Sequence, residues 1–125
     1  MTPVERQFEM VKAAYLGAAL THNPDGSYTI LIPGVKLPEG WNCPTTDVIF
    51  LLPVGYPAGK PDCFWTSANL RLKNNNPPQN TGNNPIPHGQ PGLLWFSWHD
   101  ANWSPLSDSI LTYVHVIENR FRDPR

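Results

Sequence analysis

Two side chains in this sequence are equipped for covalent and proton-transfer chemistry. Cys63 lies in Lys60-Pro61-Asp62-Cys63-Phe64-Trp65, and His99 lies in Trp95-Phe96-Ser97-Trp98-His99-Asp100. An acyl group moved onto a thiol becomes a thioester that an amine can attack. An imidazole relays the proton that such an attack releases near neutral pH. Both residues also have a plain structural reading: a cysteine is a small hydrophobe in a strand, and a histidine beside a turn is a hydrogen-bonding tie. Asp62 opposes thiolate formation by like charge, so the local sequence suits an accessible acyl carrier better than a strongly activated nucleophile.

Other chemistries find less support. His22, His88 and His115 show no His-x-x-x-His spacing, and Cys43 and Cys63 form no Cys-x-x-Cys, so no metal site is expected. Cys63, His99 and a carboxylate also make up the residue types of a small cysteine hydrolase, but three scattered residues specify no geometry. No Gly-rich phosphate loop occurs, and no nucleotide or other cofactor is expected. Nine Lys plus Arg balance ten Asp plus Glu, with no basic stripe, which argues against a nucleic-acid partner. No apolar run is long enough to span a membrane, and no leader pattern opens the chain, so a cytoplasmic location with Cys43 and Cys63 as free thiols is expected.

The elements that must position these residues follow from periodicity. With 125 residues and an apolar fraction of 40%, the chain is expected to form one domain over residues 1–125. Thr2-Pro3-Val4-Glu5 predicts a capped helix start, and Val4, Phe8, Val11 and Tyr15 recur at helical spacing. His22 through Gly26 reads as a turn. Tyr28 to Ile32 reads as a strand ended by Pro33-Gly34, and Asp47 to Leu52 as a central strand buried on both faces. Cys63 to Thr66 reads as a further extended piece, continued by Leu70 and Leu72. Asn74 to Gly92 is a long polar loop of functional type. Leu93 to Phe96 is a short extended segment, and Ser104 or Ser107 caps a final helix with Ile110, Val114, Ile117 and Phe121 on one stripe. Trp65, Trp95 and Trp98 are expected in the core, with Trp41 and Trp103 partly exposed. The fold class is α+β, with an N-terminal helix, an antiparallel sheet of about four strands, a long loop on the active-site side and a C-terminal helix.

Several of these segments together resemble the ubiquitin-conjugating (UBC) superfamily: Phe50-Leu51-Leu52-Pro53-Val54-Gly55-Tyr56-Pro57, Lys60-Pro61-Asp62, and Trp103-Ser104-Pro105-Leu106 before the last helix. Leu37-Pro38-Glu39-Gly40-Trp41-Asn42, Thr46-Asp47, Pro61-Asp62-Cys63-Phe64-Trp65 and, more loosely, Trp95 through His99 are similar to prokaryotic family E of that superfamily. The resemblance covers residues 27 to 121. In conventional conjugating enzymes the cysteine stands eight residues before the Trp of Trp-x-Pro. That position is Trp95 here, and Asn84 to His88 has no clean counterpart of their His-Pro-Asn element. The bacterial branch has a cysteine followed by a C-terminal histidine, an order that Cys63 and His99 fit.

The resemblance implies a bacterial transferase in which Cys63 carries a ubiquitin-like protein as a thioester and His99 aids its transfer to an amine. The oxyanion donor would be a backbone amide or one of Asn83, Asn84 and Asn102. It also implies a ThiF-like activating enzyme, the ubiquitin-like protein and a target protein as partners, in operons often devoted to antiviral defence. The alternative is a non-catalytic UBC-like module that binds a ubiquitin-like protein or its activating enzyme, with Cys63 as core.

Overall fold

A computed structural model describes residues 1–99 and 101–125. Helix α1 (Pro3–Ala14) precedes strands β1 (Ala19–His22), β2 (Tyr28–Lys36), β3 (Thr45–Leu52), β4 (Phe64–Thr66), β5 (Thr81–Gly82) and β6 (Leu94–Phe96), and helix α2 (Ile110–Phe121) follows. The strands form one antiparallel sheet in the order β1-β2-β3-β4-β6-β5. The architecture is the expected α+β type with terminal helices flanking the sheet.

Helix α1 starts where its sequence says it should. The Glu5 N–H donates to Thr2 Oγ1 at 3.1 Å and the Thr2 N–H donates to Glu5 Oε1 at 2.8 Å, a reciprocal cap worth about 1 kcal/mol. Val4, Phe8 and Val11 are buried, and α1 packs on α2, where the Tyr15 hydroxyl donates to Glu118. Helix α2 starts later than its serines suggest. Residues 104–108 form a turn instead, in which the Ser104 N–H donates to Asp108 Oδ2 at 2.7 Å, and Ser109 becomes the cap, its N–H donating to Thr112 Oγ1 at 2.9 Å.

The sheet is wider than the expected four strands. The sequence pattern marks no strand before the turn and puts His22 in it, yet Ala19 to His22 pair with Leu31 to Tyr28 as β1. Strand β2 does not stop at Pro33-Gly34, because a bulge between Ile32 and Val35 passes over the missing proline donor and pairing resumes at Val35 and Lys36. Leu70 and Leu72 lie beyond β4 rather than within it, and only Leu72 makes an isolated bridge, to Trp41.

The main core lies between the sheet and the helices. Phe50, Phe64, Phe96, Tyr113 and Phe121 are buried there, and Phe64 stacks on Phe96 with ring centroids 4.7 Å apart. Burying each such ring stabilises the fold by about 1.5–3 kcal/mol. Trp41 belongs to this core rather than to an exposed turn: its indole N–H donates to the Phe121 carbonyl at 2.8 Å, satisfying an acceptor at the end of α2. Strand β3 alternates fully buried Val48, Phe50 and Leu52 with half-buried Ile49 and Leu51, so its second face is covered only in part. That second face carries a separate small cluster, built on Trp65, Ile86 and Leu93 with Ile49, Cys63 and Trp95 around them.

Candidate functional site

Strand alternation places Cys63 on the second face. The β4–β6 register sets Trp65 opposite Trp95, and Cys63, one residue before β4, falls on the Trp65 side of the sheet. Cys63 is half-buried. Within the segment from Asn74 to Gly92, β5 joins the sheet edge, where the Ser97 N–H donates to the Asn80 carbonyl at 2.8 Å, and the part after β5 is held over this face by the Trp65 indole N–H, which donates to the Asn84 carbonyl at 2.7 Å. Ile86 packs on Trp65 beneath the loop. A Cβ at Gly89 would come within 2.6 Å of Ile86, so this tight fold requires glycine there.

Between the loop and the sheet lies a cavity of about 320 Å³, bordered by Asp25, Lys60, Asp62, Cys63, Trp65 and His88. His88 is brought to it by a backbone φ of 61°, a left-handed conformation that histidine adopts more readily than most residues. Its Nε2 lies 3.2 Å from Asp25 Oδ2 in the β1–β2 turn. Asp25 is in turn held by Ser27, whose hydroxyl donates to Oδ1 at 2.6 Å and whose N–H donates to it at 3.0 Å. These two bonds, helped by His88, hold the Asp25 carboxyl down at about 2. An ionised carboxylate only accepts, so in the neutral imidazole the tautomer with the proton on Nε2 and the lone pair on Nδ1 is the one that Asp25 favours.

His99 occupies a different place. Its Nδ1 lies 3.4 Å from Asp62 Oδ1, with the His99 side chain 45% exposed, and it does not border the cavity. The structure therefore links His99 to the residue next to Cys63, while His88 shares a cavity with Cys63. Cys43 lies elsewhere, against the main core. Both cysteines are free thiols. Among the described residues no group of three or more His, Cys, Asp or Glu side chains could hold a metal ion, and no helix is long and apolar enough to cross a membrane.

Burial pushes the Cys63 thiol above its ordinary range, and the nearby Asp62 charge adds to the rise. A hydrogen bond from the Trp95 side chain, whose only donor is the indole N–H, pulls the other way. At neutral pH Cys63 is thus a protonated thiol, unlike the low-pKa cysteines of proteases. Such a sulfur attacks only with a base to take its proton. Once acylated it is also a reluctant leaving group, a property that suits holding an acyl group against water.

Asp25, His88 and the donor role of Trp95 were not singled out by sequence. Asp25 sits in an Asn-Pro-Asp-Gly turn and His88 in a loop rich in Asn, Pro and Gly, where polar residues are ordinary. Nothing local signals that two residues 63 apart in sequence will meet.

A protein-family model described as Prokaryotic E2 family E matches residues 17–123. No curated protein and no solved structure gave a match.

Proposed function

The chain belongs to the prokaryotic E2 family E, and on that premise we propose that Cys63 carries a ubiquitin-like protein as a thioester and passes it to an amine. Membership makes the chain an E2-like conjugation protein. The thioester chemistry, the residues and the individual partners are our reading. A single observation carries it: Cys63 and Trp95 lie on paired segments of the sheet and pack on the same small cluster of Trp65, Ile86 and Leu93. Trp95 stands eight residues before Trp103, where conventional conjugating enzymes have their cysteine. In this reading the carrier thiol stands one strand away from the conventional position, just before the strand that pairs with Trp95.

In this reading a ThiF-like activating enzyme supplies the acyl group, and the Cys63 sulfur takes the C-terminal carbonyl of the ubiquitin-like protein. His99, tethered to Asp62, serves on the solvent-exposed side by exchanging protons between the site and water, so it matters more for discharge than for loading. The raised Cys63 thiol favours a second reading, a module that binds a ubiquitin-like protein or its activating enzyme without forming a thioester.

Incubation with an activating enzyme, a ubiquitin-like protein and ATP separates the two. The carrier reading predicts a thiol-sensitive adduct that Cys63→Ala abolishes and Cys43→Ala retains. Complex formation with no adduct in the wild-type chain would establish the binding module instead.

A further inference from the structure

We propose that His88, held by Asp25, is the catalytic base of the transfer step, taking on Nδ1 the proton of an aliphatic amine that enters the cavity beside Cys63. This rests on the reading of Cys63 as the thioester carrier.

Three features carry it. First, His88 and Cys63 border the same cavity, and its walls also include Leu51, Val54 and Trp65. Such walls suit the methylenes of a lysine side chain. Second, the Asp25 contact leaves the His88 lone pair on Nδ1, the arrangement in which a carboxylate orients a base. Third, the backbone at His88 adopts a left-handed φ of 61°. Non-glycine residues held in that region are uncommon, and they cluster at functional sites. Among the described residues, the charged and titratable groups bordering the cavity are Asp25, Lys60, Asp62, Cys63 and His88 itself.

The step balances. The amine loses its ammonium proton to solvent before it enters; the neutral nitrogen then attacks the thioester carbonyl, the C–N bond forms and the C–S bond breaks. The amine proton passes to His88 Nδ1 and from there to the departing Cys63 sulfur. An amide and a free thiol result, with no net gain or loss of protons from the neutral amine onward.

A synthetic acetyl-glycyl-glycine benzyl thioester serves as the acyl donor and lysine amide as the acceptor. The full chain is loaded to completion, the adduct is located by mass, and discharge is followed from about pH 6 to about pH 9, across the range in which imidazoles titrate. His88→Asn keeps a donor for Asp25 and tolerates the left-handed backbone, but it has no basic lone pair. It is expected to load fully and to discharge about 100-fold more slowly at neutral pH, within the range typical of general-base catalysis. His88→Gly, suited to the same φ, should recover rate as imidazole is added to the buffer.

Discharge of His88→Asn at the wild-type rate with the wild-type pH profile would overturn the proposal. So would His88→Gly that ignores imidazole, or a variant whose loading and discharge fall together with its melting temperature. If the wild-type chain takes no acyl group on Cys63, the carrier reading itself has failed, visible before any amine is added, and the proposal falls with it.

Discussion

Two histidine–aspartate pairs lie on either side of Cys63, similar in contact distance but different in what holds them and what they face. The His88–Asp25 contact is 3.2 Å, with side chains 32% and 52% exposed. The His99–Asp62 contact is 3.4 Å, with side chains 45% and 76% exposed. Asp25 is fixed by two bonds from Ser27 before His88 reaches it, and His88 borders the cavity that Cys63 borders. Exposed ion pairs contribute about 0–1 kcal/mol, so neither pair matters much for stability. What separates them is position: one tethers a histidine inside a partly closed space, the other at the solvent edge.

The comparison can be broken at its carboxylates, where the largest contrast is expected. Asp25→Asn can turn its amide to donate to His88, which would move the lone pair off Nδ1. Loss of the correct tautomer is costly in buried triads, and at this half-exposed site we expect discharge to slow about tenfold. Asp62→Asn should change it by less than about twofold, because an exposed tether is weak. Single-turnover discharge of the loaded chain measures both, and a reversed order would mean that the solvent-edge pair does the chemistry. Because Asp25 is held at about 2, its carboxylate stays ionised at every pH used for transfer, and the tether weakens only as pH falls through that value.

A smaller effect is expected at His99. His99→Asn should slow discharge about threefold, within the modest range of an exposed proton relay, and slow loading less. Equal slowing of both steps with a lowered melting temperature would make His99 a structural tie. The smallest effect sharpens the role of Trp95. Trp95→Phe removes the hydrogen bond that holds the Cys63 thiol down, so the thiol should rise further. Alkylation of Cys63 by iodoacetamide at neutral pH should slow by about twofold, in keeping with one lost hydrogen bond to sulfur. Faster alkylation would mean that the indole chiefly shields the sulfur.

The helices were legible in the sequence because Val4, Phe8 and Val11, and Ile110, Val114, Ile117 and Phe121, repeat at helical spacing and bury what they promise. The inner strands were legible from apolar runs at Phe50 and Phe64. Strands β1 and β5 were not: Thr21-His22 and Thr81-Gly82 carry little apolar signal and become strands only because β2 and β6 offer them edges. The extra turn before α2 depends on the Asp108 side chain reaching back to Ser104, a choice between several adjacent caps that composition does not rank. At the site, Cys63 and His99 stood out by residue type and surroundings. Asp25 and His88 did not, since their pairing depends on how the long loop is pinned by Trp65 and Ile86. Periodicity reports the burial of regular elements, whereas this cavity is made by an irregular loop closing over a sheet face.

The most direct measurement is peptide mapping of the chain after it has been charged with an activating enzyme, a ubiquitin-like protein and ATP, under conditions that preserve thioesters. A thiol-reversible adduct is expected on the peptide that contains Cys63, with the Cys43 peptide unmodified. An adduct on Cys43, or a wild-type chain that binds the ubiquitin-like protein and never acquires one, would contradict it.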